Sequence, residues 1–108
     1  MNDKKTRKEP EYSGDTLVAE KREVKEPKKY CIVFHNDDFT TQEFVIHVLV
    51  NFFHKNSQDA HRLMLKVHLE GKAKVGIYTK DIAESKVYVV TSYCRQNGMP
   101  LLLTIEQE

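Results

Sequence analysis

The chain has 108 residues, enough for one small domain, and its 17 basic and 16 acidic side chains leave a formal net charge of +1. That balance lacks the one-signed field by which nucleic acid or an anionic membrane surface is recognised, so neither is an expected partner. No stretch reaches the ~18 consecutive apolar residues of a membrane span, and the charged start MNDKKTRKEPEYSG lacks the apolar core of an export signal; a soluble, cytoplasmic protein is expected.

Residues 1–29 are dominated by charge, with Pro10, Gly14 and Pro27 as breakers. Such a segment buries too little apolar surface to offset its ordering entropy, and it is predicted to be a flexible tail. Tyr12, Leu17 and Val18 are its only docking-capable group. The domain is expected over residues 30–108. It opens with Tyr30-Cys-Ile-Val-Phe34, a β-branched and aromatic run that reads as a buried strand. Phe44, Val45, Val48, Leu49 and Phe52 then recur at helical spacing, and Asn56 or Ser57 separates this helix from a second one. Asp59 falls in the first turn of the second helix, Leu63, Met64, Val67 and His68 share a face of it, and Gly71 supplies its stop. Lys74-Val-Gly-Ile-Tyr-Thr79 reads as a strand. Thr79 is the expected cap of a third helix, which carries Ile82, Ala83, Val87, Val90 and Cys94 and ends at Asn97-Gly98. Leu101 to Ile105, after Pro100, form the last strand. The order β-α-α-β-α-β predicts an α+β domain, three helices with a three-stranded antiparallel sheet.

Cys31 and Cys94 lie in separate elements and form no C-x-x-C or finger spacing, so both are expected reduced and packed. The turn His35-Asn-Asp-Asp-Phe-Thr-Thr41 offers more. Asn36, Asp37 and Asp38 suit a turn backbone, and the hydroxyl of Thr40 or Thr41 can cap the helix entering at Gln42 or Glu43. A cap needs one oxygen, however, and this turn supplies an amide and two carboxylates at a strand end. Metal binding finds little support: none of the five histidines forms an H-x-x-x-H or H-E-x-x-H pair, and His54 and His61 fall on either side of a helix break. A hydrolytic site built on Asp37, Asp38 and His68 would lack both a third ligand and a nucleophile beside a base. His68 ends a half-apolar helical face with Met64 and Val67. An imidazole acceptor beside two carboxylates suits a primary ammonium group, whereas periodicity alone allows Met64 and Val67 to be plain core.

The stretches FHNDDFTTQEFVIHVL, LMLKVHLEGKAKVGIYTKDIAESKV and NGMPLLLTIE together resemble the signature segments of the bacterial ClpS adaptors of the ATP-dependent Clp protease. The likeness runs from Tyr30 to about Glu106, with order and spacing kept. It implies a protease adaptor, not an enzyme, that needs no cofactor and no metal. Such an adaptor recognises proteins by a destabilising N-terminal residue (Leu, Phe, Tyr or Trp) and delivers them to a ClpA-type AAA+ unfoldase. By resemblance, Asn36, Asp37, Asp38 and His68 hold the α-amino group, and Thr40, Gln42, Val45, Met64, Val67 and Leu101 form the hydrophobic pocket. Asp81, Glu84 and Lys86 would meet the unfoldase, and the protein is expected to be a monomer. Gln42 departs from the pattern: the family often carries Met there, a side chain thought to gate the pocket against branched residues. An amide at that place needs a partner or water, so Gln42 is expected at the rim, widening the mouth and favouring Tyr or Trp over Leu. The alternative is a ClpS-like interaction module with altered or lost N-terminal specificity.

Overall fold

The run of β-branched and aromatic residues that begins the folded part is paired on both sides. In the computed structural model, which describes residues 26–108, β1 (Lys29–His35) is the central strand of a three-stranded sheet. It is flanked by β2 (Lys72–Thr79) and β3 (Leu102–Gln107), both antiparallel to it. Between β1 and β2 lie α1 (Gln42–Phe53) and α2 (Ser57–Glu70); α3 (Lys80–Gln96) joins β2 to β3. The predicted order and class hold. Most of the predicted tail lies outside the described residues, and the strand starts one residue earlier than expected, because Lys29 already pairs with Thr79.

Local chemistry explains where the elements begin and end. The Thr41 side chain accepts a hydrogen bond from Phe44 N at 3.1 Å, and that of Asn56 accepts one from Asp59 N at 2.8 Å, each satisfying a free amide of a helix start. Thr79 occupies the N-cap position of α3 but makes no side-chain capping bond, so the expected hydroxyl cap is absent there. Gly71, at φ 92°, closes α2 in the left-handed region. His54 does the same for α1 at φ 57°, a conformation that histidine tolerates better than most side chains.

Simple alternation along β2 would turn Ile77 inward together with Ala73 and Val75. A bulge opposite Ile32 and Val33 inserts one extra residue and inverts the phase, so Ile77 is 56% exposed and Tyr78 faces the helices. Gly76 permits this: a Cβ there would meet the Tyr78 hydroxyl at 2.6 Å. The helix-facing side of the sheet, centred on Ile32 and Phe34, packs against Val48, Leu49, Leu63, Ala83, Val90 and Cys94, with the Phe34 and Phe53 rings edge to face at 5.4 Å. Cys31 and Cys94 are free thiols buried on opposite sides of the sheet, and burial raises the pKa of both. Lys86 Nζ donates to the Phe52 carbonyl at 2.7 Å and lies 5.3 Å and 5.8 Å from the Phe53 and Tyr78 ring centres. A cation therefore sits at the negative end of the α1 dipole and ties three elements together.

Candidate functional site

Between the end of β1 and the start of α1 the chain must turn, and Asn36 makes the first commitment. Its amide donates to the Gly71 carbonyl at 2.9 Å, which fastens the turn to the end of α2 and brings His68, in the last turn of that helix, to the same edge of the molecule. Asp37 then organises the loop from within. Its Oδ1 accepts from Phe39 N at 2.8 Å and from Thr40 N at 2.7 Å, and its Oδ2 accepts from the Thr40 hydroxyl at 2.7 Å. Burial alone would push the Asp37 carboxyl up. The bonds from the Thr40 hydroxyl and the two amides, aided by the Arg95 guanidinium, outweigh that and hold it below the ordinary aspartate range. Arg95 is itself placed by donating to the carbonyls of Met99 and Leu101 at 3.0 and 2.9 Å.

These constraints leave a cleft of about 380 Å³ between the turn and α2, lined by Asn36, Asp37, Asp38, Phe39, Thr40, Thr41, Gln42, Val45, Met64, Val67 and His68. Val45, Met64 and Val67 are 6%, 3% and 3% exposed and make an apolar floor. Asn36, Asp38, Gln42 and His68 are exposed at the rim. The two readings of the turn therefore coexist on different atoms. Thr41 caps α1, Thr40 and Asp37 spend their oxygens on the loop, and Asn36, Asp38 and His68 keep polar groups facing outward. Such a site can accept hydrogen bonds from a small cation while burying an apolar group attached to it.

Most of the expected site residues are brought together. Leu101 is the exception among the pocket residues: it is 1% exposed, belongs to the core and does not line the cleft. Asp81, Glu84 and Lys86 lie on α3, away from the cleft. Asp81 and Lys86 border a separate apolar groove of about 360 Å³ with Phe52, Ile82, Ser85, Val89 and Val90, while Glu84 is exposed and does not line it. Sequence reasoning missed Phe39 and Thr41 as lining residues and Arg95 as a support. For Phe39 the signal was an aromatic side chain amid six polar turn residues, which helical periodicity cannot classify. Among the described residues no group of three or more His, Cys, Asp or Glu is placed to hold a metal ion, and no helix is long and apolar enough to cross a membrane.

Comparison with known proteins gives one consistent result. Residues 25–104 match the family model described as ATP-dependent Clp protease adaptor protein ClpS. The ATP-dependent Clp protease adapter protein ClpS of Vibrio atlanticus (strain LGP32) is 50% identical over 94 residues, covering 87% of this chain and 89% of that protein. The protein of the same description from Vibrio cholerae (strain O395) is 50% identical over 93 residues, covering 86% and 88%. The structure of Agrobacterium tumefaciens ClpS2 bound to L-phenylalaninamide superposes with a TM-score of 0.74 at 37% identity, covering 77% of this chain and all of that one. With a family model matched over most of its length and half of the aligned residues identical to those of curated adaptors, the chain belongs to the ClpS family of ATP-dependent Clp protease adaptors.

Proposed function

We propose that the cleft captures the N-terminal residue of a protein destined for degradation, and that the adaptor then delivers that protein to a ClpA-type AAA+ unfoldase in the cytoplasm. The ligand of the Agrobacterium protein is informative by its chemistry: L-phenylalaninamide has a free α-amino group, a benzyl side chain, and an amide where a peptide chain would continue. It stands in for the first residue of a polypeptide. The carrying observation is that the outward-facing acceptors Asn36, Asp38 and His68 crown an apolar floor of Val45, Met64 and Val67 in one cleft.

Asp38 supplies the negative charge for the ammonium, Asn36 an amide oxygen and His68 an imidazole nitrogen. Asp37 contributes by holding the loop that presents Asp38, since both its oxygens are engaged. Leu, Phe, Tyr and Trp place their side chains over the floor, flanked by Thr40 and Gln42, with Leu101 packed in the core behind. Asp81 and Glu84, exposed at the start of α3, face the unfoldase; Lys86 serves that surface by fixing Phe52 and the end of α1. The adaptor acts as a monomer. Neither half of the site is selective alone: a pocket without the acceptors would take internal leucines, and acceptors without the pocket would take any chain start.

The test is a fluorescence titration with short peptides beginning Leu, Phe, Tyr, Trp, Ile or Ala, each free and acetylated. Each hydrogen bond to a charged group is worth roughly 1.5–3 kcal/mol, so losing two or more of them on acetylation should weaken binding by about a hundredfold or more. Equal binding of free and acetylated peptides would return the turn to a purely structural role. Gln42 favours a second reading, a module of the same fold with altered specificity; it would appear in the same titration as an amine-dependent series in which Leu is not among the preferred residues.

A further inference from the structure

We propose that Phe39 reads the second residue of the bound chain, so that the site samples two positions and favours an apolar or aromatic side chain at the second. The inference rests on the amine-and-pocket reading above and extends it to a place where the ligand of the Agrobacterium protein stops, since L-phenylalaninamide ends at the nitrogen where a second residue would begin.

Phe39 lines the cleft, yet its side chain is 77% exposed, so it belongs to the mouth and not to the floor. The chain immediately around it is polar, and a water-facing phenyl in that setting forgoes the burial that aromatic side chains normally gain. The backbone that carries it is held in place. The amides on either side of its peptide unit, Phe39 N and Thr40 N, both donate to Asp37 Oδ1, at 2.8 and 2.7 Å. A side chain carried on an anchored backbone loses less freedom on contact than one on a free loop, which favours a useful binding surface.

The path of a bound chain supplies the occupant. With the ammonium at Asn36, Asp38 and His68 and the first side chain directed at Val45, Met64 and Val67, the next Cα lies roughly 3.8 Å further out. Successive side chains of an extended chain point to opposite sides, so the second is directed away from the floor and past the rim. Phe39, between Asp38 and Thr40, is the large apolar side chain that borders the cleft there. A phenyl face rewards apolar and aromatic neighbours and gives little to a short polar side chain.

The test uses the full chain and peptides that begin with a free Phe and carry Phe, Leu or Ser second. The wild-type protein is expected to bind the Phe-Phe and Phe-Leu peptides about five- to tenfold more tightly than Phe-Ser. In Phe39→Ala that ratio should fall to near one, and in Phe39→Tyr it should return. Because the ratio compares peptides with the same first residue, any effect of Phe39→Ala on the first pocket cancels. An unchanged ratio in Phe39→Ala, or no second-residue preference in the wild type, overturns the proposal. Acetylated versions of the same peptides separate the two ideas. Binding that survives acetylation removes the amine reading and this one with it, whereas amine-dependent binding without a second-residue preference removes only this one.

Discussion

Two concavities of nearly equal size differ in what their charged groups are doing. The cleft beside the turn, about 380 Å³, and the groove between the end of α1 and α3, about 360 Å³, each join charged residues to an apolar surface. In the groove the one cation, Lys86, is already committed: its ammonium closes the α1 carbonyl end and lies over two rings. In the cleft Asp37 is likewise committed, to two amides and a hydroxyl, but its neighbour Asp38 is exposed and stands beside Asn36 and His68. Volume does not separate the two places. A charge spent inside the fold makes structure, and a charge left facing outward beside an apolar floor is free to meet a ligand.

The comparison can be broken most sharply at the cleft's outward groups. Asp38→Ala and His68→Ala should each weaken binding of a free-amine Phe peptide by about ten- to a hundredfold, and together abolish it in titration, because on the proposed reading each removes a hydrogen bond to the ligand's ammonium. The thermal midpoint should stay within about 2 °C, since neither side chain makes a bond that the fold depends on. Unfolding of these variants, with binding lost only as a consequence, would show that Asp38 is as structural as Asp37.

Asp37→Ala should behave differently, with a loss of about 2 kcal/mol of stability and roughly 10 °C in thermal midpoint, because three donors lose their acceptor. Peptide binding should fall with it, as the turn loses its frame. The pH dependence has a defined sign. The Asp37 carboxyl is held below its ordinary range in the folded state, so its contribution is complete above the unfolded value of about 4 and is lost as pH falls below that through the folded value. Wild type and Asp37→Ala should therefore converge in stability under acid, and a gap that stays constant down to pH 2 would contradict the assignment.

At the groove the expected effect is smaller and purely structural. Lys86→Met removes one bond to a helix-end carbonyl and two cation–ring contacts and should cost about 1–2 kcal/mol in chemical unfolding, while the affinity for an N-terminal Phe peptide changes by less than about twofold. A large loss of peptide affinity would mean that the two regions are coupled through α1. The smallest expected effect concerns selectivity. Gln42→Met should lower the preference for Tyr and Trp over Leu by about two- to fivefold, since an apolar side chain at the cleft edge needs no partner or water as an amide does. An unchanged ranking would remove Gln42 as a determinant.

Much of the architecture was legible before any coordinates. The helical stripes, the strand runs and the punctuation by Asn56, Gly71 and Asn97-Gly98 are signals confined to a few neighbouring residues, and each element appeared where they placed it, the strand ends differing by one or two residues. The membership of the cleft was nearly all legible too, through the joint presence of Asn36, Asp37, Asp38, His68 and the Met64 and Val67 face. What local signals do not carry is set by contacts between distant segments. Ile77 was turned outward by a bulge whose phase depends on pairing with β1. Leu101, expected in the pocket, is buried in the core, and Arg95 donates to its carbonyl from α3. Lys86 donates to the carbonyl of Phe52, 34 positions away.

The amino-acid sequence by itself therefore determined the order of elements, the family, and which residue types would gather at one edge of the sheet, because periodicity, caps and turn chemistry act over four or five residues. Only the tertiary structure decided which of two adjacent aspartates is consumed by the loop and which remains open. Both carboxylates are identical as letters, and what divides them is the direction in which the chain carries each oxygen once the Asn36 amide has been fastened to Gly71.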